Sequence, residues 1–274
     1  MAREFDTSPM VVKAASDYAR DYVLAVFAGD LKIHNVRVSS VDDVMYVKRK
    51  LRGVPGNVYC KTLRVNWDGM FPGVGVRDCF DPGVAGRLRS AMKDCPWKFV
   101  TGKDVTFELD AIGDLGNVVA PAEKIVRVLS SLGARGVHII FSGWNGVHVV
   151  APDGFALFEN YIGSEGSGWF RTPASTAYAA GVIWETVLDM AELGDWRKDP
   201  RAKGRIYGES FCVHMSPNYN QGLRKAPWFA TKHGTISAPM DLTELNKFTR
   251  ERKNFNPGRV IRWCRVTRGV PVVS

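Results

Sequence analysis

Val137-His138-Ile139-Ile140-Phe141-Ser142-Gly143-Trp144-Asn145-Gly146-Val147-His148-Val149-Val150 is two apolar runs joined by a glycine-bearing turn. Asn-Gly between apolar runs is a strong hairpin signal, because both residues accept the positive φ that tight hairpin turns need. Runs this apolar belong inside a sheet. The stretch predicts paired strands over Gly136–Ser142 and Val147–Ala151, with Ser142 and His148 on either side of the turn. Turn N–H groups can form an anion nest, and Ser and His side chains add donors, so a nucleotide triphosphate fits this corner. A plain hairpin, in which both side chains satisfy local backbone groups, fits the same pattern.

Earlier in the chain, Val105-Thr106-Phe107-Glu108-Leu109-Asp110 has the alternation of a strand, predicted over Asp104–Asp110. Successive side chains point to opposite faces, so Glu108 and Asp110 share one face and Phe107 and Leu109 the other. Two carboxylates about 7 Å apart repel unless a cation lies between them. Mg²⁺ or Mn²⁺ suits carboxylate oxygen and keeps positions for water or substrate phosphate. Acids left in solvent on a half-exposed strand are the alternative.

Outward from these two segments, the apolar rhythm predicts a helix over Val11–Phe27 and a strand over Leu31–Val38. Ser39 with Asp42 resembles a capping box opening a helix through Leu51. A strand over Asn57–Val65, a loop over Asn66–Pro82 and helices over Ala85–Lys93 and Pro121–Leu132 follow. Residues 153–170 read as a glycine-rich loop, Pro173–Leu193 as a long helix, 204–207 and 211–214 as short strands, and Leu242–Arg250 as a helix. Without a strict βαβ rhythm the class is α+β, on an antiparallel or mixed sheet.

The chain has 274 residues and a net charge of +9, which favours a polyanionic partner. No apolar run reaches membrane-spanning length and the first residues carry Arg3, Glu4 and Asp6, so neither a membrane partner nor a secretory signal is expected. The cysteines, Cys60, Cys79, Cys95, Cys212 and Cys264, include no CxxC pair and read as buried thiols. The expected compartment is the cytoplasm, in association with the nucleoid. The basic run Arg197, Lys198, Arg201, Lys203, Arg205 reads equally as a solvated face or a template track. Leu223–Asp241 interleaves Arg224, Lys225 and Lys232 with Trp228, Phe229 and His233, a pattern suited to phosphate contact with base stacking and also to a solvated basic loop. His34 and His138 read as structural, and so does His214, with a place at the site edge near Glu209 as its alternative; most tryptophans read as fillers, and Trp144, on a hairpin tip, is the one placed to stack on a base.

In order and spacing, the acidic pair on a strand, the Ser-Gly-x-x-Gly-x-His hairpin and the basic proline-bearing segment resemble the archaeo-eukaryotic primase superfamily. That superfamily includes primase small catalytic subunits, primase-polymerases and the polymerase domains of end-joining ligases. Asp104–Ala111 is similar to its first motif and Phe141–Val149 to its second. Lys203–Tyr207 and Ala226–Leu245 are similar to the end-joining polymerases, and Arg3–Phe5 and Asn57–Cys60 to primase small subunits.

The resemblance implies a single catalytic domain over 1–274, with an RRM-like half beside an α/β half. It implies template-dependent nucleotidyl transfer, a 3′-hydroxyl attacking an α-phosphate with Mg²⁺ or Mn²⁺. Glu108 and Asp110 would be the catalytic metal ligands, and Ser142, Asn145, His148, Lys225 and Lys232 would hold the nucleotide. A third metal ligand falls on Glu209 when Gly204–Ile206 is matched; matching Lys225–Pro227 instead points to Asn218–Asn220, which holds no acid, and Asp241 is a further candidate. Implied partners are single-stranded or primer–template nucleic acid, nucleoside triphosphates and an accessory primase subunit. The second motif carries Trp144 and Asn145 where the family usually has a basic residue, and there is no clustered Cys/His knob. A non-catalytic relative that binds nucleic acid or a primase partner is therefore the second reading. A metal-dependent hydrolase using the same acids, with His148 as base, is the third.

Overall fold

The computed structural model of the protein describes residues 8–52, 54–93, 95–162, 172–193, 196–199, 204–214, 222–233 and 235–251. Arg3–Phe5, Arg201, Lys203, Asn218–Asn220 and Cys264, each singled out in the sequence, lie outside these residues. Among the described residues no helix is long and apolar enough to cross a membrane.

Helix α1 spans Pro9–Ala19, with proline in the first turn, where its missing N–H costs nothing. The predicted helix to Phe27 ends there, and Val23–Ala28 is strand β1. A short continuous apolar run reads alike in a buried helix and a central strand. Here the β-branched Val23 and Val26 sit between two antiparallel neighbours, which decides for strand. After β2 (Leu31–Arg37), helix α2 (Val41–Lys50) is capped by Ser40 with Asp43, one residue beyond the predicted Ser39/Asp42 pair. The single strand predicted over 57–65 is two, β3 (Gly56–Lys61) and β4 (Leu63–Val65). The predicted loop after it contains a short helix α3 (Trp67–Met70) and a 3-10 turn (Asp78–Phe80) before α4 (Pro82–Lys93).

Next come β5 (Val100–Lys103), β6 (Val105–Ala111), α5 (Val119–Ser131), β7 (His138–Phe141) and β8 (Gly146–Ala151). Within the expected glycine-rich loop, Gly154–Ile162 is helix α6; Asp153 accepts from Ala156 N–H to start it, and Leu157 and Phe158 bury on the core. The chain continues through α7 (Pro173–Met190), β9 (Trp196–Asp199), β10 (Gly204–Tyr207), β11 (Phe211–His214), β12 (Leu223–Lys225), β13 (Ala238–Met240) and α8 (Leu242–Glu251).

These strands form an α+β architecture with a seven-stranded sheet in the order β13-β7-β8-β6-β11-β10-β9, a four-stranded sheet in the order β12-β3-β1-β2, and a β4-β5 ribbon. One core lies on the helix-covered face of the larger sheet, where Phe107 and Leu109 meet Ile125, Leu129, Phe158, Ile183, Val187 and Leu245. A second core joins α1, α2 and α4 to the smaller sheet through Val12, Val26, Val44, Val47, Val58 and Leu88. Trp228 packs against both cores, on the segment that leaves β12 in one sheet and enters β13 in the other. The opposite face of β6, bearing Thr106, Glu108 and Asp110, is only partly covered.

Candidate active site

Glu108 and Asp110 project from β6 on its half-exposed face, each side chain 39% exposed. Antiparallel register places Glu108 opposite His148 on β8 and opposite His214 on β11. His148 Nε2 is 3.9 Å from Glu108 Oε1, and His214 Nε2 is 3.7 Å from Asp110 Oδ2. Asp110 lies opposite Gly146. A Cβ at Gly146 would fall 2.3 Å from Asp110 Oδ1 and 2.6 Å from the Leu109 carbonyl, so the hairpin glycine makes room for the carboxylate as well as for the turn.

Loss of solvation by burial and then the charge of Asp110 push the Glu108 carboxyl up to about 7, against the pull of Lys225. Burial also raises Asp110, opposed by His214 and Lys225. His148 is pushed down to about 3 by burial and then by the Arg224 and Lys225 charges, which keeps the imidazole neutral. It is 1% exposed and neither ring nitrogen has a hydrogen-bond partner. A buried polar group left so is costly, by about 1–3 kcal/mol, which marks His148 as a group built to meet something in the cleft.

The cations come from the smaller sheet. Pairing of β12 with β3 sets Lys225 opposite Tyr59. Its Nζ donates to the Tyr59 hydroxyl at 3.1 Å and lies 4.3 Å from the ring centroid. Burial brings Lys225 down to about 8, with Glu108 opposing. The neighbouring Arg224 points the other way, into full burial. It donates to Asp104 Oδ2 from Nε at 3.2 Å and from a terminal nitrogen at 3.1 Å, and its guanidinium lies 4.4 Å from the Tyr22 ring centroid. Asp104 immediately precedes β6, so this ion pair ties the lysine-bearing strand to the root of the acid-bearing one.

The hairpin is braced from two sides. Asn145 Nδ2 donates to the Ala111 carbonyl at 3.1 Å, and Ala111 N–H donates back to the Asn145 carbonyl at 2.8 Å. Gly143 takes φ +88, and its carbonyl accepts from the Thr235 hydroxyl. Ser237 Oγ donates to the Phe141 carbonyl at 2.9 Å. The exposed Lys232 is held through its backbone N–H, which donates to Asn57 Oδ1 at 3.2 Å. Beside it, His233 stacks on Trp144 with centroids 4.4 Å apart.

Glu108, Asp110, His148 and Lys225, from three strands of two sheets, thus meet in one cleft. Ser142 is buried at the root of the turn, its N–H donating to the Gly146 carbonyl, and Lys232 lies on the adjoining loop. The Asn145 amide nitrogen is engaged with Ala111 rather than directed to the cleft. Glu209 does not join them: it is exposed on the β10–β11 turn and is not among the charges that act on either carboxylate. Asp241 and Glu244 exchange hydrogen bonds at 2.7 Å with each other's backbone N–H, a helix cap for α8. The position facing both acids from β11 is held by His214, at the edge of the site, and sheet register is what brings it there. Arg205, part of the basic run, is buried against Trp184 and Trp196 and paired with Glu185, which makes it structural.

Among the described residues no group of three or more His, Cys, Asp and Glu side chains is arranged to hold a metal ion. Two half-exposed carboxylates on one strand face, both raised by burial and Glu108 further by Asp110, nevertheless have the donor chemistry of a divalent-cation site completed by water or substrate oxygens.

No protein-family model and no curated protein matches this chain. Among solved structures it is similar to the polymerase domain of Mycobacterium tuberculosis ligase D in complex with DNA, with a TM-score of 0.53, 11% identity, and coverage of 86% of this chain and 79% of that one. The two share a fold, distantly related.

Proposed function

We propose that the protein is a template-dependent nucleotidyltransferase of primase-polymerase type, joining nucleotides on single-stranded or primer–template nucleic acid. The observation that carries this reading is the convergence of Glu108 and Asp110 with Lys225 and the unpartnered His148 in one cleft, within a fold distantly shared with a polymerase domain. The +9 net charge agrees with a polyanionic partner.

In the reaction the 3′-hydroxyl oxygen of a primer forms a bond to the α-phosphorus of a nucleoside triphosphate, and the bond from that phosphorus to pyrophosphate breaks. Glu108 and Asp110 would hold Mg²⁺ or Mn²⁺, which supplies charge neutralisation at the transferring phosphoryl group. Lys225, largely protonated at neutral pH, neutralises phosphate charge and is oriented by Tyr59. Neutral His148 offers one N–H to a phosphate oxygen, and the Ser142 hydroxyl a second donor. Lys232 meets the polyphosphate or the strand from the rim.

Primer extension and de novo synthesis on single-stranded template, with Mn²⁺ and with Mg²⁺, test the reading against Glu108→Ala/Asp110→Ala. Synthesis by wild type that disappears in the double variant is the expected result. A specific observation favours a second reading, a non-catalytic relative that binds nucleic acid: the side chain facing the acids from β11 is His214 rather than a third acid, and Glu209 is exposed on the β10–β11 turn. Template binding without synthesis under any metal would select that reading.

A further inference from the structure

Trp144 is 50% exposed at the tip of the β7–β8 hairpin, whereas Trp67 and Trp184 are buried in the cores. Trp196 is also exposed, on the β9 edge of the larger sheet, with the Arg205 guanidinium 4.0 Å from its ring centroid. The Trp144 indole is backed by the His233 ring at 4.4 Å and an interplanar angle of 15°. Both rings are rigidly mounted. The hairpin tip is tied to the end of β6 by the Asn145–Ala111 pair, and the His233 loop is tied down through Thr231, which accepts from His233 N–H at 3.3 Å and bonds to the Thr235 hydroxyl at 2.8 Å. Burial and the charges of Lys232 and Lys225 lower the His233 pKa, which favours a neutral ring in the stack.

We propose that the Trp144–His233 stack is a platform for an unpaired nucleobase at the rim of the acid-bearing cleft. This rests on the nucleic-acid reading above and deepens it. The occupant follows from what surrounds the stack: an exposed planar apolar surface beside the exposed cation Lys232, on the hairpin whose returning strand carries His148. A nucleotide offers both matching parts, a π-face for the indole and a phosphate for the lysine. A pre-ordered platform loses little side-chain freedom on binding.

The test is fluorescence anisotropy with a labelled single-stranded oligonucleotide and with a strand of equal length made of abasic sugar-phosphate. Wild type is compared with Trp144→Ala, Trp144→Phe and Trp144→Leu, each checked for wild-type melting. Stacking on one base is worth about a 5- to 100-fold change in affinity. The expected result is a loss of that size for Trp144→Ala and Trp144→Leu on the base-bearing strand, retention of most affinity by Trp144→Phe, and no difference between variants on the abasic strand. Competition by a free nucleoside triphosphate distinguishes the source of the base: a loss seen with the triphosphate assigns the platform to the incoming nucleotide, and a loss seen with the strand assigns it to the template or primer. Equal binding by wild type and Trp144→Leu, or an equal loss on the abasic strand, overturns the platform and leaves the nucleic-acid reading standing. Failure of folded wild type to bind either strand or the triphosphate overturns both.

Discussion

Replacing Arg224 by methionine should damage both stability and the cleft, and the structure sets the size of the effect. The Arg224 and Asp104 side chains are each 0% exposed, and two guanidinium nitrogens reach one carboxylate oxygen at 3.1 and 3.2 Å. Methionine retains much of the apolar volume but leaves Asp104 buried, with Arg64 Nε at 3.5 Å and the Tyr22 side chain as its remaining partners. Breaking a buried pair from one side costs about 3–5 kcal/mol. Because Arg64 is 24% exposed and stays in reach, the lower end applies, about 3 kcal/mol. For a chain of this size that lowers the melting temperature by roughly 6–12 °C. Arg224→Met/Asp104→Leu removes both charges, so it should lose less than the sum of the single variants, with a coupling of about 2 kcal/mol.

The pH dependence has a definite sign. Burial already holds the Asp104 carboxyl above its ordinary value, against the pull of Arg224 and Arg64. Without Arg224 it rises further, so the folded variant keeps a proton over a wider window than the unfolded chain, and stability falls as pH rises through that window. The deficit of Arg224→Met should be small near pH 4 and complete at pH 8. Urea and thermal unfolding across that range, on single and double variants, measure it. A loss under about 1 kcal/mol, or strict additivity, would refute the claim that this ion pair pins β12 to β6. If the pin holds, folded Arg224→Met should also bind single strands as weakly as Lys225→Ala, because Lys225 is carried by the same strand.

Glu108→Gln should flatten one part of the stability profile measured without divalent ions. The Glu108 carboxyl lies near 7 when folded, so wild type loses stability between its unfolded value and pH 7; with the side chain 39% exposed and screened by solvent, the loss is on the order of 1 kcal/mol. Melting from pH 5 to 8 checks this, and parallel profiles for the two proteins would contradict it. Gly146→Ala should cost about 1–3 kcal/mol and abolish any synthesis, since its Cβ would collide with Asp110 and with the Leu109 backbone. Wild-type melting and activity in that variant would show that the hairpin and the acid strand are not packed as described.

Several features of the site are local and were legible in the chain. Period-two alternation places Glu108 and Asp110 on one face whatever the surrounding fold, and turn chemistry alone brings Ser142 near Gly146. The strands at 204–207 and 211–214 also coincide with those expected. Local patterns failed where two structures share one pattern: Val23–Ala28 continued an apparent helix because an apolar run does not reveal whether its neighbours are turns of a helix or strands of a sheet.

Tertiary structure decided the rest. His214 faces the acids, and Glu209 does not, through the register of β11 against β6. Lys225 reaches Glu108 because β12 crosses to pair with β3, an element more than half the chain away. Trp144 acquires its His233 partner because the loop after β12 wraps the hairpin on its way to β13. Sequence determines which side chains share a strand face or a turn, since backbone geometry sets that within a few residues. Which strands lie side by side, and in what register, depends on burial summed over the whole chain, and that placed the lysine and the second histidine beside the acids.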